Sequence, residues 1–313
     1  MAMLSSTLSP PITPITTPIS EKHFSSNDPA GVLMAALPCL QAQSGNVIVI
    51  KYGGSLMTDA SLEETLLGNI AWLQAVGLKP IIVHGGGPAI NHALKRFDRE
   101  PQFIQGLRVT DEDTLTIAEM VLSGRLNKTI VGRLQRFGSG TIGLSGRDGG
   151  LITARKKIEN GLDLGRVGSV VHVDISLLHS LLNQAQSLIP VISPVCADAD
   201  QPGAALNVNA DEVALAIAKA IHADQLLFMT DVPGVLANIA DPTSLMATLT
   251  PESAKAAIAD GQITGGMIPK IRSAVESLRD GVGVVRILDG RIPHALLNTL
   301  IFSDTCGTTI VPS

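Results

Sequence analysis

Two stretches of the chain join a continuous apolar run to a set of glycines. Residues 47–57 read V-I-V-I-K-Y-G-G-S-L-M, and residues 80–91 read P-I-I-V-H-G-G-G-P-A-I-N. A short run of Val and Ile without polar alternation is typical of a strand that is buried on both faces. In both stretches a helical pattern follows the glycines. Each stretch therefore predicts a strand, a glycine loop and a helix.

The alternation of strand and helix continues along the chain. The pattern predicts helices near residues 60–76 and 88–97, and one long helix from Asp111 to about Phe137 with Thr110 and Asp113 spaced as a capping box. Later strands and helices come from the segments I-P-V-I-S-P, A-D-E-V-A-L-A-I-A-K-A-I, Q-L-L-F-M-T, M-I-P-K-I-R-S-A-V-E-S-L and V-V-R-I-L. Repeated units of this kind predict an α/β fold with an open, mostly parallel central sheet and helices on both faces. We expect two lobes that share the sheet, since 313 residues lie at the upper limit for one domain.

The composition excludes several classes of partner. Hydrophobic residues make up 45% of the chain but aromatic residues only 3%, so the core must be built from Val, Ile, Leu and Ala. A formal net charge of -5 gives no broad positive field for a nucleic-acid backbone. No apolar run reaches the roughly 18 residues that cross a bilayer. We expect a soluble protein that binds neither nucleic acid nor membrane.

The cysteines indicate a reducing compartment. Cys39, Cys196 and Cys306 are odd in number, far apart and in no C-x-x-C pair. They predict neither a disulfide framework nor a zinc site. A cytoplasmic location is the simplest interpretation.

The N-terminal region divides into a tail and a helix. Residues 1–30 are rich in Ser, Thr and Pro and have no usable hydrophobic period, which predicts a disordered tail rather than a targeting segment. Residues 31–45 predict a helix that Pro38 should kink or end. Its apolar face consists of Val32, Ala35, Ala36, Cys39 and Leu40. Such a face needs a surface to cover, either on its own lobe or on another subunit.

Both glycine loops are candidate anion sites. Each falls after a predicted strand and before a helix, where backbone N–H groups and the helix dipole attract anions. The alternative is a pair of tight turns with Lys51 reaching solvent, but two loops of one design favour the functional interpretation. Residues 138–143 match G-x-G-x-x-G but follow a helical pattern, so a nicotinamide-dependent dehydrogenase is only a weak alternative.

Two later segments place polar residues at helix starts. Lys270 lies near the N-terminus of a predicted helix, where a cation opposes the dipole unless an anion is present. The alternative is a solvated surface lysine. Asn209 is a natural N-cap, and the dipole alone explains Asp211 in the first turn, whereas Asn207 precedes the cap. Taken singly, the polar groups of this second segment favour a structural role over a catalytic one.

Taken together, the motifs resemble those of a known family. They are K-Y-G-G-S, H-G-G-G-P-A-I-N, G-L-R-V-T-D, M-V-L-S-G-R-L-N-K, G-L-S-G-R-D-G, I-P-V-I-S-P, N-V-N-A-D, T-D-V-P-G-V-L, G-G-M-I-P-K and D-G-R-I-P-H-A-L-L. From about residue 31 to residue 311 they follow the order found in the N-acetylglutamate kinases of the amino acid kinase fold. The glycine loops alone would indicate only the wider fold. G-L-R-V-T-D, M-V-L-S-G and N-V-N-A-D narrow the resemblance to this member.

The resemblance implies transfer of the γ-phosphoryl group of ATP, with Mg²⁺, to the side-chain carboxylate of N-acetyl-L-glutamate in arginine biosynthesis. Lys51 and Lys270 would flank the phosphoryl group, and Asp211 would hold both lysines. The implied substrate-binding residues are Gly86, Gly87, Arg108 and Asn207. The implied nucleotide-binding residues are Gly53, Gly54, Thr230, Asp231, Gly265, Gly266 and Met267. No side chain is assigned to a metal. The implied lobes are residues 46–222, for acetylglutamate binding and dimerisation, and residues 223–313, for ATP binding.

The resemblance leaves alternatives open for both the activity and the oligomeric state. A related kinase for another carboxylate or a carbamate remains open, as does a catalytically silent, arginine-binding regulatory subunit. A homodimer or a homohexamer is implied, the hexamer through exchange of the N-terminal helix between dimers. Arginine is implied as a feedback inhibitor, and His294 matches that site. Thr299, Asp304 and Thr305 depart from the family's pattern.

Overall fold

The computed structural model describes residues 29–159, 161–302 and 306–313. Its α-helices are α1 (Pro29–Gln43), α2 (Ala60–Ala75), α3 (Gly87–Arg96), α4 (Glu112–Glu119), α5 (Asn127–Arg136), α6 (Ser176–Leu182), α7 (Ala210–Ala220), α8 (Pro251–Ala259), α9 (Met267–Arg279) and α10 (Ala295–Ile301). A π-helix, Met120–Leu126, joins α4 to α5, and short 3-10 helices occupy Gly54–Thr58 and Asp148–Gly150. Within the described ranges, no helix is both long enough and apolar enough to span a membrane.

The strands form a large sheet, a small barrel and a hairpin. In chain order they are β1 (Val47–Tyr52), β2 (Lys79–His84), β3 (Phe103–Ile104), β4 (Leu107–Arg108), β5 (Thr141–Ser145), β6 (Ile152–Glu159), β7 (Leu162–Val173), β8 (Ile189–Ser193), β9 (Val195–Asp198), β10 (Ala205–Val208), β11 (Gln225–Thr230), β12 (Thr248–Leu249), β13 (Val284–Asp289) and β14 (Gly307–Ile310).

The central sheet has the order β12-β14-β13-β11-β1-β2-β8-β5. All of its strand pairs are parallel except β13 and β14. The prediction of an open, mostly parallel sheet is therefore confirmed. Strand β1 pairs with β2 on one side and β11 on the other. The strands of residues 46–222 and 223–313 thus share one sheet, while the division into two lobes stays a prediction.

Helices cover both faces of this sheet, as predicted. Val49 belongs to a core cluster with residues of α6, α7, α8 and α9. Its neighbours Ile48 and Ile50 belong to another cluster with residues of α1, α2, α5 and α10. Successive side chains of a strand point to opposite faces, so a strand covered on both sides needs apolar residues at every position. This explains the continuous apolar run at residues 47–50.

A four-stranded closed barrel, β10-β7-β6-β9, was not predicted. All four of its strands lie between residues 152 and 208, where the sequence pattern predicted only the strand I-P-V-I-S-P. Its main unit is the long antiparallel pair β6–β7, with register shifts after Thr153 and Lys156. Such irregularities break the strict alternation by which a half-buried strand is recognised.

The helical stretch after residue 110 differs from the prediction in two ways. It is α4, a π-helix and α5 in succession rather than one helix. Its N-cap is Asp111, whose Oδ1 accepts a hydrogen bond from Thr114 N at 2.7 Å, so the capping box of Thr110 and Asp113 was wrong. Thr110 instead pairs with Gly165 in a β-bridge, and its N–H donates to Leu164 O. A carboxylate also suits the positive end of a helix better than a hydroxyl group.

The N-terminal helix begins earlier and ends differently from the prediction. α1 starts at Pro29 and ends at Gln43, so residues 29 and 30 are not part of a disordered tail; residues 1–28 lie outside the described residues. Pro38 lies inside the helix and does not end it. The second half of α1 is fastened to α10, because Gln43 Nε2 and Cys39 Sγ both donate to Leu300 O, at 2.6 and 3.3 Å. These contacts attach the part of α1 that follows Pro38 to α10.

Candidate functional site

The two glycine loops lie side by side where β1 and β2 end. Tyr52 is in register with His84, and Gly85 N donates to Tyr52 O at 2.8 Å. A Cβ atom on Gly53 would lie 3.2 Å from both Cα and N of Gly85. The loops therefore approach each other closely, and a side chain at Gly53 would force the backbone of Gly85 to move by a few tenths of an ångström. This is the edge of a parallel sheet at which ligands bind.

Two lysines share one carboxylate next to these loops. Lys51, on β1, pairs with Oδ1 of Asp211 at 2.9 Å, and Lys270, on α9, pairs with Oδ2 at 3.3 Å. The three side chains are 16%, 23% and 31% exposed for Lys51, Lys270 and Asp211, so all are reachable from solvent. Asn209 caps α7 as predicted, with Oδ1 accepting from Asp211 N at 2.8 Å. The cap fixes the backbone from which Asp211 extends.

The charges of this trio leave a net positive site. Burial alone would raise the pKa of Asp211, but the nearby ammonium groups of Lys51 and Lys270 outweigh it and hold the pKa below its ordinary value. Asp211 is therefore ionised at neutral pH. Two ammonium groups and one carboxylate carry a formal charge of about +1 in total. The site attracts an anion while its two cations stay in fixed positions.

Arg108 offers an unpartnered charged donor next to the glycine loop. The residue is 8% exposed and lies on β4, with Nη2 donating to Gly87 O at 3.3 Å. Its Nη1 is buried without a hydrogen-bond partner. Burial lowers the pKa of Arg108 from its usual value, yet a guanidinium group remains charged. Burying a charged donor without an acceptor costs free energy. An anionic ligand that accepts a hydrogen bond from Nη1 of Arg108 would remove that cost.

Asn207 is linked to Arg108 through Thr110. Asn207, on β10, donates from Nδ2 to Thr110 Oγ1 at 3.4 Å, and Thr110 Oγ1 donates to Arg108 O at 2.8 Å. The buried hydroxyl group of Thr110 thus joins the barrel to the strand that carries Arg108. No local sequence pattern predicts this link, because it joins residues that are 97 positions apart.

A π-helix lies against the second glycine loop. A Cβ atom on Gly86 would come within 2.5 Å of Leu126 Cδ1 and 2.7 Å of Leu122 Cδ2. Both leucines belong to the π-helix Met120–Leu126, a type of helix often found at functional sites. A Cβ atom built on Gly87 would meet no side chain or distant backbone atom within 4 Å. The two leucines therefore pack against the loop so closely that Gly86 cannot carry a side chain without their moving.

A buried polar network below this loop was also missed. His84 and Asn127 are both fully buried. The Nδ1 of His84 bonds to Gly85 O at 2.9 Å, and its Nε2 lies 3.3 Å from Nδ2 of Asn127. Asn127 Nδ2 also donates to Val191 O at 2.8 Å and to Leu144 O at 3.2 Å. The pair therefore ties the glycine loop to β5 and β8.

His84 predicts a dependence of stability on pH. Burial lowers its pKa to about 4, so the folded protein holds it neutral while the unfolded chain binds a proton near pH 6.5. Between these values the unfolded state binds more protons, so stability falls as the pH falls. We expect His84 to remove about 2 kcal/mol from the free energy of unfolding between pH 7 and pH 5. Urea denaturation at both pH values measures the change.

The control variants for this prediction are His84→Gln and His92→Gln. The His84→Gln protein should lose about 2 kcal/mol less between the two pH values than the native chain. The His92 side chain is exposed on α3, and its replacement should leave the difference unchanged. Equal pH dependence in the native and His84→Gln proteins would contradict the prediction.

The residues expected to bind nucleotide surround the start of α9 and the end of β11. Thr230 ends β11, and its Oγ1 donates to Leu288 O at 3.1 Å. Asp231 follows it directly. Gly266 is the N-cap of α9 and Met267 its first residue. No atom lies within 4 Å of a Cβ built on Gly265, Gly266 or Gly54. These open glycines and a helix N-terminus can bind phosphate, and α9 also carries Lys270.

The fold and the site together define a class of protein. The sequence profile described as the amino acid kinase family matches residues 46–289, and the chain belongs to this family. Among curated proteins, the chain is 45% identical to the acetylglutamate kinase of Methanocaldococcus jannaschii, with 90% of this chain and 95% of that protein covered. It is 46% identical to the acetylglutamate kinase of Desulfitobacterium hafniense, with 90% and 96% covered.

Solved structures share the fold. The N-acetylglutamate synthase of Neisseria gonorrhoeae, complexed with coenzyme A and N-acetyl-glutamate, matches with a TM-score of 0.79 at 24% identity. The match covers 92% of this chain and 64% of the synthase chain, so this chain spans less than two thirds of that protein. The carbamate kinase of Giardia lamblia, bound to AMP-PNP, matches with a TM-score of 0.61 at 16% identity, covering 87% and 100%.

Proposed function

We propose that this chain is a cytoplasmic enzyme of arginine biosynthesis that phosphorylates N-acetyl-L-glutamate. It transfers the γ-phosphoryl group of ATP to the side-chain carboxylate, which gives N-acetyl-L-glutamyl 5-phosphate and ADP. The observation that carries the proposal is the pairing of Lys51 and Lys270 with opposite oxygens of Asp211 beside two glycine loops. Relatives at about 45% identity that are named acetylglutamate kinases support the choice of substrate.

The proposed chemistry needs no general base. A side-chain carboxylate with a pKa near 4.3 is ionised at neutral pH and can attack the γ-phosphorus directly. As the new P–O bond forms, the bond to the β-phosphate oxygen breaks and ADP leaves. Because this transition state is largely dissociative, the protein has to align the reactants and stabilise charge. Lys51 and Lys270 supply positive charge on either side of the transferred group, and Asp211 fixes both ammonium groups.

The acceptor is held within residues 46–222, the proposed acetylglutamate lobe. Arg108 pairs with the α-carboxylate through its unpartnered Nη1. The N–H groups of Gly86 and Gly87 bind the reacting carboxylate, and Asn207 reaches the acetamido group. The link from Asn207 through Thr110 to Arg108 sets the spacing between these contacts.

The nucleotide is held mainly by residues 223–313. Thr230 and Asp231 lie at the ribose and base, Gly265 to Met267 and the dipole of α9 face the phosphates, and Gly53 and Gly54 close on them from β1. The described residues contain no group of three or more His, Cys, Asp or Glu suited to a metal ion. Mg²⁺ that enters with the ATP phosphates would neutralise part of their negative charge.

One assay separates this proposal from its alternatives. Acyl phosphate trapped by hydroxylamine is measured with N-acetylglutamate, glutamate, aspartate and carbamate as acceptors. Turnover only with N-acetylglutamate supports the proposal, and turnover only with another acceptor identifies a related kinase. Arginine binding without turnover would indicate a regulatory subunit. A catalytically silent subunit could lose its site residues freely. This chain retains Lys51, Lys270, Asp211 and Arg108, which argues against that alternative.

We propose that the enzyme is a hexamer in which three dimers are joined through α1. Ala36 is the only buried residue of α1, whereas Leu33 and Met34 are 66% and 67% exposed, so the outer face of the helix can pack on another subunit. We expect light scattering to give a hexamer for the native chain and a dimer after deletion of residues 1–43. Deletion of residues 1–28 keeps α1 and should preserve the hexamer. A hexamer that survives the longer deletion would disprove the role of α1.

For arginine we expect at most weak feedback inhibition. His294 Nδ1 is already 2.9 Å from Asn69 Oδ1, and Thr299 stands where the family pattern has a carboxylate. Asp304 and Thr305 lie outside the described residues. A lost charged hydrogen bond weakens guanidinium binding by about 1.5–3 kcal/mol, or roughly 10- to 150-fold. The rate under an arginine titration should fall more steeply in Thr299→Glu than in the native chain, and strong inhibition of the native chain would contradict this.

A further inference from the structure

Aromatic side chains are scarce in this chain, yet two of them contact cations of the site. The chain has 6 Phe, 1 Tyr and 1 Trp among 313 residues. The ammonium nitrogen of Lys270 lies 5.3 Å from the ring centroid of Phe228, and the guanidinium carbon of Arg108 lies 4.8 Å from that of Phe103. Both distances are within the range of a cation–π interaction. Phe228 is buried in a core built mainly from aliphatic residues, whereas Phe103 is 51% exposed.

Phe228 lies next to the site formed by Lys51, Lys270 and Asp211. It is on β11, directly in register with Lys51 of β1, and its residue is 3% exposed. Neighbouring residues in register on a parallel sheet project from the same face. The ring therefore lies next to Lys51 while the ammonium group of Lys270, arriving from α9, rests over it.

The ring can hold Lys270 without removing its charge. The only ion-pair partner recorded for Lys270 among the described residues is Asp211, which is shared with Lys51. A second carboxylate would hold the ammonium group more tightly, but it would also cancel the positive charge offered to the phosphoryl group. An aromatic face attracts a cation through its quadrupole and carries no net charge. Lysine has a long, flexible side chain, so a second contact restricts where its ammonium group lies.

We propose that Phe228 is a positioning residue for phosphoryl transfer, acting through its ring on the ammonium group of Lys270. The proposal rests on the function proposed above. Phe228 touches neither substrate in this scheme, so its effect falls on turnover rather than on the affinity for ATP or N-acetylglutamate. Weakening the ring's attraction for a cation should lower kcat by about three- to tenfold while both KM values stay within about twofold.

The test replaces Phe228 with 4-fluoro-, 3,5-difluoro- and 3,4,5-trifluorophenylalanine at this single position. Fluorine withdraws electron density from the ring face and changes its shape little. We expect kcat to fall stepwise with the number of fluorine atoms, while the thermal midpoint of unfolding stays nearly constant. A purely structural role would give the opposite pattern, with constant kcat or with kcat following thermal stability, and either result would overturn the proposal.

Two matched positions provide the controls. The same fluorinated residues at Phe103 should raise the KM for N-acetylglutamate and leave kcat nearly unchanged, because that ring contacts Arg108. At Phe137, the C-cap of α5, fluorination should change neither constant. If the native chain forms no acyl phosphate, the proposed function is wrong. If the native chain is active but kcat does not change on fluorination at Phe228, only the positioning role of Phe228 is wrong.

Discussion

Replacing either site lysine by alanine is expected to lower kcat by at least ~10²-fold, the usual loss when one group that stabilises developing charge is removed. Lys51 and Lys270 approach the same carboxylate from different elements, β1 and α9, so neither can move into the other's position. The KM values should change much less, because the negative charge that both lysines meet increases in the transition state. Steady-state kinetics on Lys51→Ala and Lys270→Ala measure both effects.

Lys219→Ala is the matched control for the lysine variants. Lys219 also pairs with a carboxylate, that of Asp280 at 2.7 Å, but it lies on α7 away from the glycine loops. Its loss should leave kcat within about twofold, since exposed ion pairs contribute about 0–1 kcal/mol to stability and nothing to the reaction. Near-normal turnover in either site variant would remove that lysine from the proposed mechanism.

Replacing Arg108 by lysine is expected to raise the KM for N-acetylglutamate about 10- to 150-fold, with the KM for ATP nearly constant. Lysine keeps the positive charge but lacks the planar fork that pairs with a carboxylate through two hydrogen bonds. One lost charged hydrogen bond is worth about 1.5–3 kcal/mol. The contact exists in the ground state and the transition state alike, so kcat should change less than KM.

Arg99→Lys is the control for the Arg108 variant. Arg99 pairs with Asp111 and Asp113 and is 37% exposed, outside the proposed substrate contacts. Its replacement should leave both KM values near those of the native chain. If Arg108→Lys changed only the KM for ATP, Arg108 would belong to the nucleotide site instead.

Most of the central sheet and both glycine loops could be predicted, because their signals are local. A strand covered on both faces needs successive apolar residues, and the tight turn after it needs glycine. The local sequence of residues 47–54 and 80–87 therefore predicts a strand followed by a glycine loop. The cap at Asn209 is local in the same sense, since it depends on a hydrogen bond to Asp211, two residues away. The motif order further predicted the amino acid kinase family, which the profile match confirms.

Contacts between distant segments determine which side chains meet at the site. The family resemblance implied that Asp211 would hold Lys51 and Lys270, but no local pattern predicts this pairing. The His84–Asn127 network and the ring of Phe228 under Lys270 also join residues that are tens of positions apart, and neither was predicted. The barrel escaped prediction because its register shifts interrupt the alternation of its strands. Local propensity can specify a turn or a strand, but only packing determines which side chains meet, since each such contact depends on the whole sheet being formed.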